Sequence, residues 1–475
     1  MVDRRDVVVI GGGITGLTAA YEIIRNRPDA SVTVLEATDR VGGIVGAVTT
    51  GRYVVDIGPH GFIDNGSDTR LLIDRLGISG DLIPATKEAA KISLLKDNRI
   101  YQIPGTLGQL LRTPLLSAHG KARLLSEVFV PPRHEEDSVI DFVTRRFGRE
   151  VAEKFAVPAV RGVVGGDADN FSIEGEFPLI KELERKYGSV LIGAVRNQQQ
   201  RHRLDPVSPR IPSFREFGNR LKTFRGSGMQ HLVDTLAAVL GERIRLGTAV
   251  RALEHTAEGR WRVLTDDGPA YEADHALIAL PSDAAVQLVR PHHAPVADAL
   301  SVLPHPDIRV VALAYRKTDV ARPPRGIGFI ATPGLPSDLL GAIHASTIFP
   351  EQAPADQIMI RVLAGGLPDA PILTHRKERA VELIHHDLQN AFGLKGTPVF
   401  CHEHLWRRPI PTYPVGHRPL FRELLDSVAQ LGGLHMAGNS YFGVGVNDCV
   451  RDARRAATGI IEALRSSRPS AAVGR

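Results

Sequence analysis

The hydrophobic pattern opens with a short apolar run, Asp6 to Ile10, that stops at three glycines. A continuous run of this length, bounded by a turn signal, predicts a strand buried on both faces. From Thr15 to Arg25 the spacing becomes helical, with Leu17, Ala20, Tyr21 and Ile24 on one face. Ser31 to Glu36, SVTVLE, is the next predicted strand. Strand, helix and strand at this spacing predict a βαβ unit and an α/β chain with a parallel sheet. From about Lys87 to Asn197 the texture is helical, in stretches such as LGQLLRTPLLSAHGKARLLSEVF and DSVIDFVTRRFGREVAEKFAVPAV, divided by Pro131-Pro132-Arg133. Gln198 to Arg220 is polar, carries prolines and predicts a connector. Strands are predicted again at Ile244 to Val250, Trp261 to Thr265, Asp307 to Tyr315 and Gln357 to Leu363. The last predicted helix runs from Ala453 to Arg465, with Ala457, Ile460, Ile461 and Leu464 facing inward, and a frayed tail follows it.

Length changes this picture only by adding domains: 475 residues predict two or three. Charge adds a weak positive bias, +5 from 58 basic and 53 acidic residues, which suits an anionic substrate or an acidic lipid surface. No dense Lys/Arg block with interleaved aromatics occurs, so no nucleic-acid partner is expected. Two cysteines, Cys401 and Cys449, exclude a disulfide framework and favour a reducing compartment. Neither has Cys/His company at zinc spacing, so no metal site is expected. No apolar stretch approaches the roughly 20 residues that span a bilayer. The charged residues from Met1 to Asp6 lead straight into a strand rather than a signal peptide. The expectation is a cytoplasmic protein whose membrane contact would be peripheral, on the inner face of the cell membrane.

The candidate chemistry begins at Gly11-Gly12-Gly13-Ile14-Thr15-Gly16, a G-x-G-x-x-G placed between a strand and a helix. Gly11 permits the tight turn, Gly13 lets a pyrophosphate approach the backbone, and Gly16 lets the helix pack on the strand. The helix N-terminus offers free N–H groups and a positive dipole end to phosphate. Glu36, twenty residues after Gly16, ends the second strand, where a carboxylate accepts hydrogen bonds from ribose hydroxyls. Together these predict a dinucleotide site.

Glu36-Ala37-Thr38-Asp39-Arg40-Val41-Gly42-Gly43 resembles the E-x-x-x-R-x-G-G pattern of the FAD-binding amine oxidase and protoporphyrinogen oxidase superfamily. The resemblance implies that Glu36, Ala37, Arg40, Gly42 and Gly43 contact FAD, and that Gly58, Pro59 and His60 form a turn beside the flavin ring. Near the other end, Gly438 to Asp448, GNSYFGVGVND, is similar to the C-terminal FAD motif of the protoporphyrinogen oxidase family. It implies flavin contacts from Gly438, Gly443, Val444, Gly445 and Val446. Cys449 reads as a buried small hydrophobe rather than a flavin attachment. Weaker matches run between the ends in the family's order. They include Arg161 to Asp167 with Phe171-Ser172 and Phe177-Pro178, Phe224 to Met229, Val250, Ala279-Leu280-Pro281, Leu340 to Ser346, and Trp406 with Ile410-Pro411-Thr412-Tyr413. Val250, Ala279 and Trp406 are expected at the FAD.

The implied fold is an FAD-binding Rossmann-like domain with a mixed-sheet substrate domain and a helical membrane-docking insert. The expected division assigns 1–86, 201–295 and 405–465 to the FAD domain, 87–200 to the insert, 296–404 to the substrate domain and 466–475 to a disordered tail. The implied reaction is oxidation of protoporphyrinogen IX to protoporphyrin IX in three two-electron steps, with dioxygen reoxidising the flavin to give hydrogen peroxide. Ile327, Ile330 and Leu363 would line an apolar slot, His344 would stack on the substrate, and Gly162 and Gly165 would let backbone approach it. No side chain is assigned as acid or base. The family's propionate-pairing arginine is missing: the chain reads Ala90-Lys91-Ile92, leaving Lys91, or else Arg161 or Arg99, to pair with the carboxylate. That departure keeps coproporphyrinogen III open as substrate. Another flavin oxidase, of the amine oxidase or desaturase kind, and a non-catalytic FAD-bound scaffold stay open as further alternatives. Leu107, Leu110, Leu111, Leu115 and Leu116, flanked by Arg112 and Lys121, would make an apolar face for a bilayer surface, or else pack internally or in a dimer seam. The resemblance also leaves room for a homodimer and for product hand-over to a ferrochelatase.

Overall fold

Two sheets and a group of helices make up the computed structural model, which describes residues 3–165, 170–200, 220–266 and 268–466. The connector at 201–219, the tail beyond 466, and Asp167 lie outside the described residues. The first sheet has strand order Ile244–Arg245, Val32–Leu35, Asp3–Ile10, Tyr271–Ile278, Trp261–Thr265, Val250–His255, with Leu434–Met436 also paired to Tyr271–Ile278. Its centre is parallel: Val9 lies opposite Val34, and Ile10 opposite Ile278. Such strands are covered on both faces, and Val7, Val8 and Val9 are wholly buried, as their unbroken apolar run requires. One face is covered by helices Ile14–Asn26, Gln230–Leu240 and Val446–Ser466, which share a core through Leu17, Tyr21, Leu232, Val450, Ala457 and Ile461. The first and last helices of the described chain therefore lie side by side.

The second sheet runs Phe400–Trp406, Ile308–Arg316, Gln357–Gly365, Leu339–Ile343, Gly328–Ala331, Ile92–Lys96, Arg99–Gln102. It is antiparallel apart from the pairing of Gly328–Ala331 with Ile92–Lys96. Here the period-two rule applies. Ile358, Ile360, Val362 and Ala364 turn to the core under helix Lys377–Phe392, while Met359, Arg361 and Leu363 alternate onto the face toward the first domain.

The helical segment begins later than its texture suggested. Residues 92–102 form a hairpin of the second sheet, closed by Asp97 and Asn98 at φ 51° and 59°. Those angles are those of a two-residue turn that Asp and Asn tolerate, which is why a strand pair forms here rather than helix. Helices then run from Leu107–Arg112 to Val190–Gln200. Ser117 and Ser138 cap two of them by accepting from Gly120 and Asp141 N–H. A buried charge network joins this layer: Lys181 and Arg145 both meet Asp137 and Glu184. Burial opposes ionisation of these carboxyls, yet Arg145 and Lys181 hold both below the usual range. Leu115 and Leu116 are buried, Leu115 against Leu94 and Ile330, so they pack internally and are not part of an exposed apolar face. Among the described residues no helix is long and apolar enough to cross a membrane.

Candidate active site

Four parallel strands end along one edge of the first sheet, and the residues that follow them carry the site: Gly11, Glu36, Ala279 and Gly438. Two of the glycines serve packing. A Cβ on Gly11 (φ 110°) would fall 2.6 Å from the Ala279 carbonyl oxygen, and one on Gly16 would fall 2.0 Å from that of Gly11. Gly13 differs, since nothing stands nearer its Cβ position than the Gly43 Cα at 4.0 Å. Gly13 opens helix Ile14–Asn26, whose first turn has no side-chain cap and no acidic residue. Its positive end, flanked by Ile14 and Thr15, is thus left for an anionic ligand.

The Glu36 carboxylate is oriented from both sides. One oxygen accepts from Gly12 N–H at 2.8 Å, the other from Thr38 N–H and hydroxyl at 2.9 and 2.7 Å. Thr248 N–H bonds the Glu36 carbonyl at 2.8 Å, which brings the loop before Val250 to the same edge. Ala37 is exposed beside it. Ala279 is fixed by its N–H on the Ile10 carbonyl at 2.8 Å.

The second glycine pair lies on the first. Gly42 donates to the Gly12 carbonyl at 2.8 Å, and a Cβ on Gly43 would come 3.3 Å from the Gly13 Cα. Arg40 folds back, donating to the Gly43 carbonyl at 2.6 Å, with its guanidinium carbon 5.8 Å from the centroid of the Trp406 ring. From the far end of the chain, Gly438 (φ 145°) has no atom within 4 Å of its Cβ position, and its N–H is held by Asp452 at 2.9 Å. A Cβ on Gly443 (φ 157°) would fall 2.5 Å from Asp448 Cγ, so a side chain there must displace Asp448. The Gly445 carbonyl receives the N–H groups of Asp448 and Cys449, and Val446 begins the last helix. Val444 packs against the helical layer. Cys449 is buried with Thr15 as a neighbour, and burial pushes its thiol up to about 12, the state of an inert core residue.

Beside these glycines stands a buried polar junction that sequence reading located only in part. Gly58 lies against the Ile44 carbonyl, and Pro59 is half-buried. The preceding carbonyl, Ile57, accepts from Trp406 Nε1 at 2.8 Å, and that of Gly58 accepts from Arg361 at 2.6 Å. Asp56 is completely buried, accepting from Met229 N–H at 2.8 Å and Gln352 Nε2 at 2.9 Å. His60 Nδ1 lies 3.3 Å from an Asp56 oxygen, within ion-pair range, yet neither ring nitrogen has a hydrogen-bond partner. Burial lowers the His60 pKa against the pull of Asp56, so the ring is neutral. Arg361 and Gln352 were not foreseen, while Met229 ends the expected Phe224–Met229 match. The one available signal was a lone arginine inside the otherwise apolar strand IMIRVLAG.

The expected slot residues divide. Ile330 packs with Leu94 and Leu115, and Ile327 is half-buried beside Ile348 and Phe349. Leu363 shares the face of Arg361. Gly162 is small for packing: a Cβ there would strike Ile330 Cγ2 at 2.7 Å. Gly165 (φ 71°) lies against Pro306 and Gly366. One expectation is corrected. His344 points into the opposite core, against Phe329 and Phe392, with Nδ1 on the Gly326 carbonyl at 3.2 Å. The β alternation that sends Phe329 away from Ile330 carries this ring with it, so His344 does not stack on a ligand in the slot. Lys91 is exposed and held by Glu88 at 2.8 Å, an ion pair that lowers the Glu88 pKa.

The fold and the site define a two-domain dinucleotide-binding oxidoreductase. The chain belongs to the flavin containing amine oxidoreductase family, which it matches over residues 14–461. The glycines open at Gly13 and Gly438, the uncapped helix and the oriented Glu36 fit an extended FAD, which is the cofactor. Within the family the chain falls in the porphyrinogen-oxidase branch. It is 30% identical to the protoporphyrinogen oxidase of Bos taurus, across 96% of this chain and 98% of that one. It is 26% identical to the coproporphyrinogen III oxidase of Bacillus subtilis (strain 168), across 95% and 97%. A solved chain from Exiguobacterium sp. 255-15, named "Putative protoporphyrinogen oxidase", superposes with a TM-score of 0.83 at 25% identity, covering 98% of this chain and 99% of that one.

Proposed function

We propose that the protein oxidises a porphyrinogen to the porphyrin, protoporphyrinogen IX to protoporphyrin IX, consuming three dioxygen and releasing three hydrogen peroxide per macrocycle. The observation that carries this reading is the meeting of the N-terminal and C-terminal glycine motifs on one edge of the first sheet, with the Arg361 and Leu363 face of the second sheet held there through the Gly58 carbonyl. The relatives' names supply the substrate class. When bound, FAD supplies the two-electron oxidation and passes the electrons to dioxygen.

The chain's own residues bind, orient and keep the site dry. The Gly13 end of the first helix holds the pyrophosphate, and Glu36 accepts from ribose hydroxyls. Trp406 and Arg361 fix the Ile57–Gly58 backbone from the substrate sheet. Ile330, Leu363 and Ile327 present apolar surface to a flat macrocycle. The pyrrole N–H protons leave to solvent, so no side chain takes a proton. Anaerobic mixing of the FAD-loaded protein with protoporphyrinogen IX, and separately with coproporphyrinogen III, tests the reading by following bleaching of the flavin absorbance. Faster bleaching by protoporphyrinogen IX is expected; no bleaching by either macrocycle would refute it.

One observation favours the second macrocycle: relatives named coproporphyrinogen III oxidase match 95% and 97% of this chain. Faster bleaching by coproporphyrinogen III would establish that alternative. The protein would work at the inner membrane surface. There the apolar contact is Leu111, Leu125, Val128 and Phe129, of which Phe129 is 86% exposed. Phe129→Asp should abolish sedimentation with anionic vesicles; unchanged sedimentation would argue against this face.

A further inference from the structure

Arg361 is the feature of the site that the binding role leaves unexplained. It stands in strand Gln357–Gly365 with only 3% of its surface exposed. Its guanidinium donates to the Gly58 carbonyl at 2.6 Å and, more weakly, to that of Ile57 at 3.4 Å, and its Nε is buried without a partner. Burying a cation is costly unless a counter-charge meets it. The nearby carboxylate, Asp56, attracts the Arg361 charge through space but spends its hydrogen bonds on the Met229 N–H and the Gln352 amide. Burial pushes the Arg361 pKa down to about 10, with Asp56 pulling the other way, so the group stays charged at neutral pH. The neighbouring His60 adds no charge of its own, and the Arg361 charge contributes to keeping it neutral. A standing positive charge is thus locked by two backbone carbonyls into a dry junction, where its field is weakly screened.

We propose that Arg361 is a positioning residue that also sets the flavin's redox balance. It holds the Ile57–Gly58 turn and favours two-electron reduction of FAD by offering positive potential to the negative charge that reduction brings. The proposal rests on reading the Gly58-Pro59-His60 turn as the bed of the flavin ring. In each step the substrate C–H gives two electrons and one proton to the flavin, the N–H proton goes to solvent, and dioxygen takes the two electrons with two protons to leave as hydrogen peroxide; Arg361 exchanges neither electrons nor protons.

The test is the midpoint potential of bound FAD, measured by dye equilibration in the wild type, Arg361→Gln and Arg361→Lys. Gln keeps a donor for the Gly58 carbonyl but has no charge; Lys keeps the charge but lacks the fork. The Gln variant should lose at least tenfold in the equilibrium constant for two-electron reduction, a fall of about 30 mV. The Lys variant should stay near the wild type. A Gln variant with the wild-type potential would overturn the proposal, and so would a Lys variant that falls as far as Gln. Should Gln fail to retain FAD, the Lys variant decides alone: a wild-type potential supports the role of charge, and a fallen one refutes it. Failure of the underlying site reading looks different, because a bulky substitution in that turn, Pro59→Trp, would then leave the absorbance spectrum of bound FAD unchanged.

Discussion

The glycine turn at Gly11–Gly16 and the junction around Asp56 and Arg361 solve opposite problems. The turn is made of backbone, comes from one short stretch, and leaves its donors open toward a ligand. The junction is made of side chains from segments far apart in the chain, Asp56, Met229, Gln352 and Arg361, and is closed from water. A backbone site needs only small residues and a helix start, so it tolerates no added atoms. A side-chain site needs every partner present, so it tolerates no loss.

The largest way to break the turn is to add one methyl group. Gly16→Ala places a Cβ 2.0 Å from a backbone oxygen that cannot yield without opening the strand-to-helix packing. It should cost about 3 kcal/mol in urea unfolding and empty the protein of FAD. The largest way to break the junction is to remove a carboxylate. Asp56→Ala leaves the Met229 N–H and the Gln352 amide without their acceptor. A loss of about 2 kcal/mol is expected, followed by the same urea titration.

Smaller changes sharpen the contrast. Glu36→Ala removes an oriented acceptor at the rim, so FAD affinity should drop about 30-fold, near 2 kcal/mol, by equilibrium FAD titration, with stability of the flavin-free protein little changed in urea unfolding. His344 compares the two faces of the second sheet. Burial lowers its pKa from 6.5 to about 4, so the unfolded chain binds more protons than the folded one between those values. The stability tied to it is complete above pH 6.5 and is lost as pH falls toward 4. Replacing His344 by Phe should remove about one proton from the pH slope of unfolding near pH 5. Smallest of all, Lys91→Ala severs an exposed ion pair and should change stability by less than about 1 kcal/mol. A large rise in KM for either porphyrinogen in that variant would restore the propionate role.

The same contrast explains what the chain's pattern revealed. Strand Asp3–Ile10, helix Ile14–Asn26 and Glu36 were legible because a strand, a glycine turn and an acid lie within one short window. The C-terminal motif was legible for the same reason, and its meeting with the first helix follows from parallel pairing of Leu434–Met436 beside Tyr271–Ile278. The hairpin at 92–102 was misread because the helical texture that follows it hid its two-residue Asp97-Asn98 turn. The burial of Leu115 and the direction of His344 depend on which face a neighbouring strand presents, which no local window contains. Arg361 was invisible as a site residue because its partners are backbone carbonyls three hundred positions earlier in the chain, with no side-chain pattern to mark them.

The central claim is that the two ends of this chain close on a single FAD. Equilibrium titration of the flavin-free protein with FAD tests it most directly: saturation at one FAD per chain, lost together in Gly16→Ala and Gly443→Val, is the predicted result. Undiminished uptake after either substitution, or none by the wild type, would contradict it.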